Sequence, residues 1–352
     1  MKRLWFRSFH PCPPYSSPTS SSSSHFALLI RNDFATYSSV NAIAAGKGHG
    51  LRGWVPTRAS IAPSESWRRS EARLFSSDEG STSHLDIEKD LFRLRREMTS
   101  HFTSGNYPDA LKCAQTIETT AEKLYGIKTT IFASSLNNTA LMFKMMGELK
   151  KAIDKYIKAL QLYEDLVGSK HESYCSVLSN LGITYKLLAQ EVSSDKERNY
   201  YLRHAETATV DAYALRVELK GENSKEVFES QILYASILRM KGKVEDAEFQ
   251  LKATLGSCRK QFDKNDTDSL VTATVINNLG HLLKQQQKYE EALPLYEEAL
   301  SLRKAFLNDK HPDTIVTKHN LAELLLAMGR DEEALSLQAE IIGRSIKSNQ
   351  IQ

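Results

Sequence analysis

The sequence predicts an all-α solenoid of about six antiparallel helix pairs, and three landmarks with one shared period predict it. Six alanines, Ala110, Ala152, Ala205, Ala247, Ala292 and Ala334, follow one another at gaps of 42, 53, 42, 45 and 42 residues. Fourteen residues before the alanines lie Asn138, Leu233, Asn278 and Asn320, and Asn180 lies 42 residues after Asn138. Sixteen residues after them lie Gly126, Gly168, Gly221, Asp263 and Asn308. A fixed period between about 20 and 50 residues marks a repeat array, in which each unit buries its apolar face only against its neighbours. Glycine, asparagine and aspartate tolerate left-handed backbone best, so the third landmark is expected to close each second helix.

Each unit reads as two helices joined by a tight turn just ahead of the alanine. The turn phrases are Gly-Asn-Tyr-Pro-Asp-Ala at 105–110, Gly-Glu-Leu-Lys-Lys-Ala at 147–152, Gly-Lys-Val-Glu-Asp-Ala at 242–247, Lys-Tyr-Glu-Glu-Ala at 288–292 and Gly-Arg-Asp-Glu-Glu-Ala at 329–334. In the fifth unit Val275, Ile276, Leu279, Leu282 and Leu283 fall at helical spacing, and Leu293, Leu295, Tyr296, Ala299, Leu300 and Leu302 follow on the second helix. Ala140, Gly182, Ala235, Gly280 and Ala322 on first helices meet the alanine ladder, as close helix crossings require. Pro312 suits the first turn of a new helix, where its missing donor costs nothing. The 11 extra residues between Ala152 and Ala205 are assigned to a polar insertion in the inter-helix turn, Gln190 to Asn199. The 3 extra residues before Ala292 are assigned to the polar connection Gln261 to Asp268. No stretch sustains the two-residue alternation of a half-buried strand.

These residues resemble the tetratricopeptide repeat, with a small residue at the eighth place of each unit, alanine at the twentieth and a turn between them. The usual unit of that family has about 34 residues. The 42-residue period and the phrases Asn277-Asn278-Leu279-Gly280, Tyr289-Glu290-Glu291-Ala292 and Lys310-His311-Pro312-Asp313 resemble the longer variety of kinesin light chains. The resemblance covers residues 85–348, between a linker at 76–84 and a tail at 349–352, and it implies a right-handed superhelix with a concave groove. It is weakest at the front, where Glu97 and Met98 stand in for the usual leucine and small residue, so the first pair is expected to be a degenerate cap.

Residues 1–75 are a different material. They carry ten Lys or Arg against three acids, with a serine run from Ser20 to Ser24, which is the composition of an organelle transit peptide. Arg73-Leu74-Phe75-Ser76-Ser77 resembles a mitochondrial processing pattern and places the cut between Phe75 and Ser76. The expected address is the mitochondrion, in the matrix or against the inner membrane, with the chloroplast as alternative because serine richness serves both. The chain carries +3 and its first 75 residues +7, which leaves −4 on the other 277. That balance argues against general nucleic-acid affinity, which rests on neutralising phosphates. The longest apolar runs, such as Phe26 to Ile30, fall far short of the ~20 residues that span a bilayer, so only peripheral membrane association is left open.

Residue chemistry points to binding rather than catalysis. The sequence holds no phosphate loop, nucleophile elbow or His-Glu-x-x-His, and no catalytic residue is assigned. Cys12 lies in the leader, and Cys113, Cys175 and Cys258 are isolated, without paired zinc spacing. His281, His319 and Glu323 fall on first helices of adjacent units and face one side, a set that can hold a metal. Any solenoid sets polar residues side by side on its inner face, so no metal or other cofactor is expected.

The resemblance implies that places two, five, six, nine, twelve and thirteen of each first helix line the groove. Place six gives Asn138, Asn180, Asn278 and Asn320, with Arg96 in the first unit and Leu233 in the fourth. Place twelve gives Lys144, Lys186, Arg239 and Lys284, with Phe102 and Leu326 at the ends. Asparagine amides both donate to and accept from a peptide backbone, and regularly spaced cations favour carboxylates. The bland reading is a solvated row of lysines near helix C-termini. The expected function is a non-catalytic mitochondrial adaptor that binds a protein or peptide partner, an acidic segment in particular. The layout of leader plus repeats is similar to that of a mitochondrial tetratricopeptide factor in respiratory-complex assembly. The alternatives are a docking subunit of an organellar enzyme complex and, less favoured, an organellar RNA-binding helical repeat protein, whose period is nearer ~35 residues.

Overall fold

A computed structural model describes residues 82–262, 268–307, 309 and 311–349, with side chains from 87 to 341. Every regular element among the described residues is a helix, and the helices come in six pairs. The pairs are α1 (Thr82–Thr103) with α2 (Tyr107–Tyr125), α3 (Thr130–Met145) with α4 (Leu149–Val167), and α5 (Glu172–Glu191) with α6 (Asp195–Lys220). They continue as α7 (Lys225–Met240) with α8 (Val244–Gln261), α9 (Ser269–Gln285) with α10 (Tyr289–Phe306), and α11 (Pro312–Ala327) with α12 (Asp331–Asn349). The array starts at Thr82, inside the stretch assigned to a linker, and ends one residue into the expected tail. Helix ends are set by where terminal backbone groups find partners, which the apolar period does not encode. The processing pair Phe75 and Ser76 lies outside the described residues.

The alanine ladder is the packing seam: Ala110, Ala152, Ala205, Ala247, Ala292 and Ala334 are all 0% exposed. Opposite it, volume is traded between the two helices of a pair. A Cβ on Gly182 would stand 3.0 Å from Thr209 Oγ1, and one on Gly280 would stand 3.3 Å from the Tyr296 ring. Thr209 and Tyr296 lie four residues past a ladder alanine and are buried. In the first pair the trade runs the other way. Met98 is buried in one cluster with Ala110, Ala114 and Ile117, so a large residue on α1 takes up what the small Ala114 leaves free. The first pair is therefore packed, although its residues depart from the repeat pattern as expected of a terminal unit.

Turn chemistry follows the period. Gly105, Gly147, Gly242 and Gly329, each five residues before a ladder alanine, have φ between +74° and +80°. In the fifth unit that place is Gln287, which adopts φ 62° without the freedom of glycine. Gly126, Gly168 and Gly221 close α2, α4 and α6 as expected. The helices α8 and α10 end instead on extended Phe262 and Leu307, while Asp263 and Asn308 lie outside the described residues.

Most of the insertion is helical, which corrects its assignment to a turn: within Gln190 to Asn199 the connection is only 192–194. Helix α5 runs to Glu191, about one turn past the place where α3 ends, and α6 begins at Asp195, about two turns before the place where α4 begins. Gln190 to Asn199 is rich in good helix formers, and Asp195 and Glu197 suit the first turn of α6. The added turns also bury apolar surface. Tyr201 and His204 stack on Tyr185 of α5 with ring centroids 6.3 and 5.2 Å away, and Tyr200 packs edge-on against both.

Candidate ligand-binding face

Successive first helices α3, α5, α7, α9 and α11 adjoin one another. At about 100° per residue, places five and twelve nearly superimpose on one face of a helix. The cations at place twelve all reach forward from that face to the next first helix. Lys144 Nζ donates to Asn180 Oδ1 at 3.4 Å, and Lys186 Nζ to Ser236 Oγ at 3.5 Å. Arg239 donates to Gln285 Oε1 at 3.2 Å, and Lys284 Nζ to Glu323 Oε2 at 2.7 Å. The asparagines stitch in the opposite direction. Asn180 Nδ2 donates to Asn137 Oδ1 at 3.5 Å, and Asn320 Nδ2 donates to Asn277 Oδ1 at 3.1 Å. Asn278 turns back on its own helix and donates to the Thr274 carbonyl at 2.8 Å.

The row therefore joins units as well as lining a face. Lys144, with 1% of its surface exposed, is buried together with Asn138 and Asn180, so the bland reading of a solvated row does not hold in the second unit. Lys186, Arg239, Asn278, Lys284 and Asn320 are half-buried and still reach the surface. Burial lowers Lys144 to about 7. Burial, and then the charge of Arg239, lowers Lys186 to about 8. The His281 imidazole is pushed down to about 4 by burial, then by Arg239 and Lys284, against a weaker opposing pull from Glu323. It is neutral at physiological pH.

His281, His319 and Glu323 do not come together as a metal set. Lys284 holds the Glu323 carboxylate, His319 is exposed, and among the described residues no three His, Cys, Asp or Glu side chains gather to hold an ion. Sequence reasoning missed Asn137, Asn277 and Ser236 as members of this face. A signal existed for the first two, since the Asn-Asn doublet recurs at 137–138 and 277–278.

A tetratricopeptide-repeat family model matches residues 131–191 and 271–344, the units in which the ladder, turns and asparagine doublets are most regular. Protein KINESIN LIGHT CHAIN-RELATED 3 of Arabidopsis thaliana is 23% identical over 211 residues, covering 60% of this chain. The chain spans only 24% of that relative's length. With the 42-residue period and the six helix pairs, these matches show tetratricopeptide repeats in the array, similar to those of the kinesin-light-chain type. Two solved structures share the fold. A Rap protein complexed with competence and sporulation factor is 15% identical, with a TM-score of 0.59 over 79% of this chain and 70% of its own. NprR in complex with its cognate peptide NprX is 15% identical, with a TM-score of 0.55 over 82% of this chain and 76% of its own.

Proposed function

We propose that this chain is a mitochondrial adaptor that binds an extended or helical protein segment along the face built by α5, α7, α9 and α11, with no chemistry of its own. The observation that carries it is the half-buried pair Lys186 and Arg239, whose hydrogen bonds go to the neutral acceptors Ser236 and Gln285. Cations held in register without a carboxylate of their own favour a ligand bearing Asp or Glu. The Rap protein is complexed with competence and sporulation factor and NprR with its cognate peptide, which supports segment binding by arrays of this kind. A basic, serine-rich leader supports the mitochondrial address, and the similarity of layout supports a role in assembling respiratory complexes.

The test uses the partner captured on mature protein from isolated mitochondria. Lys186→Gln with Arg239→Gln is preferred to charge reversal, because a carboxylate placed at half-buried Lys186 would cost folding. The double variant should keep its helical circular dichroism and bind the partner about tenfold more weakly, the worth of roughly one charge-assisted hydrogen bond. Added salt should narrow that difference as the Debye length falls below ~8 Å. Equal affinity of variant and original protein contradicts the reading. N-terminal sequencing of the organellar protein should find Ser76 or a residue close to it, and a start near Met1 contradicts the address. One stoichiometric enzyme copurifying with the chain would favour the docking-subunit alternative.

A further inference from the structure

A cavity of about 460 Å³ opens between the end of α8, the start of α9 and the middle of α10, lined by Arg259, Phe262, Ser269, Thr272, Glu298 and Leu302. Its size falls within the ~300–1,000 Å³ of small-molecule sites. Arg259 and Phe262 stand three residues apart at the end of α8, and Glu298 and Leu302 four apart on α10, so each helix brings one charge and one apolar side chain to the same side. The apolar pair is held in place. Phe262 packs edge-on against Phe228 with ring centroids 5.6 Å apart, its backbone N–H donates to the Cys258 carbonyl at 2.9 Å, and both it and Leu302 rest on the core of these units.

The charged pair is open to a ligand. The side chains of Arg259 and Glu298 keep 48% and 31% of their surface exposed, and Nη2 of Arg259 alone donates to the two carboxylate oxygens, at 2.9 and 2.7 Å. A guanidinium has five N–H donors and each carboxylate oxygen two acceptor sites, so Nη1 and Nε of Arg259 and one lone pair on each Glu298 oxygen remain. A ligand with a carboxylate alone is repelled by Glu298, and one with an amine alone by Arg259; a group carrying both charges escapes both penalties. We infer that the cavity binds a free amino acid with an apolar side chain, its carboxylate on Arg259, its ammonium on Glu298 and its side chain against Phe262 and Leu302. Bound there, the ligand joins the fourth unit to the fifth and stabilises the array by mass action. The site stands apart from the inner face and does not rest on segment binding.

The test titrates the full chain with L-phenylalanine, L-leucine, glycine, N-acetyl-L-phenylalanine and L-phenylalaninamide at matched ionic strength, read by calorimetry and by the thermal midpoint. Phenylalanine or leucine should bind and raise the midpoint. Glycine, which lacks the apolar group, and the two derivatives, which each lack one charge, should bind at least about tenfold more weakly. Glu298→Gln should weaken phenylalanine binding about tenfold and leave the acetyl derivative level or tighter, while the midpoint without ligand barely moves, because an exposed pair contributes little. A purely structural Glu298 would give the reverse, a lower midpoint with unchanged binding. The derivatives probe the same two charges on the unaltered chain, so a variant that fails to fold leaves the test decisive. No binding of either apolar amino acid, glycine or a derivative binding as tightly as phenylalanine, or unchanged affinity in Glu298→Gln overturns the site.

Discussion

Arg303→Leu should destabilise the array by roughly 2–4 kcal/mol, because one buried guanidinium ties three helices together. Arg303 on α10 is 4% exposed and donates to the Asp313 carbonyl at 2.7 Å, to Thr317 Oγ1 on α11, and to Thr274 Oγ1 on α9 at 3.3 Å. Hydrogen bonds to a charged group contribute ~1.5–3 kcal/mol each, and leucine would keep most of the apolar packing while deleting all three. Part of that loss is offset, since a buried guanidinium is costly to desolvate. Burial lowers its pKa, with Asp313 opposing. At ~2–4 °C per kcal/mol for an array of this size, the midpoint should fall by about 4–16 °C in a circular dichroism melt. Each unit touches only its neighbours, so hydrogen exchange should quicken in α11 and α12 well before α3 to α6. Lys304→Leu, at the exposed neighbouring position, is the control. An unchanged midpoint, or exchange that quickens evenly along the chain, would refute the tie. Arg216 on α6 repeats the device, donating to the Glu226 carbonyl and Ser230 Oγ at 2.8 Å each, and being less buried it should cost less.

Ala292→Leu should overpack the ladder and cost ~1–3 kcal/mol, whereas Ala305→Leu, on the exposed side of the same helix, should cost little; equal small shifts in melting would remove the close crossing. Gln287→Gly should raise stability by up to ~1 kcal/mol in urea titrations, because left-handed backbone strains glutamine more than the added unfolded-state entropy of glycine costs; a clear loss would contradict this. Lys144 gives a pH signature. Its folded pKa is depressed to about 7 from 10.5, so between those values the unfolded chain binds more protons and stability rises with pH. Lys144→Met should flatten that rise relative to the original protein in denaturant melts across the window, and an identical slope would show that the lysine keeps its ordinary pKa.

The period was legible because sterics at a helix crossing leave few choices. A seam that admits only alanine repeats visibly, and the glycine turns repeat with it. The insertion misled because Gln, Glu, Lys and Arg serve an exposed helix as well as a polar loop. Tyr200, Tyr201 and His204 carried the missing signal, since aromatics at helical spacing need a surface to cover. On the inner face, places could be counted from the sequence but partners could not. Whether Lys144 meets water or Asn180 depends on the stagger between neighbouring helices, and no single-helix pattern encodes it.

Binding on the inner face is tested most directly by site-specific photocrosslinking to the captured partner. A photoreactive side chain replaces Leu233, at place six of α7, in one protein and Phe249, 61% exposed on the second helix α8, in another. Adducts should form from position 233 and disappear when excess unlabelled partner competes, while position 249 yields none. Adducts from 249 alone, or none from 233 with a partner that still binds, would place recognition on another surface and contradict the groove.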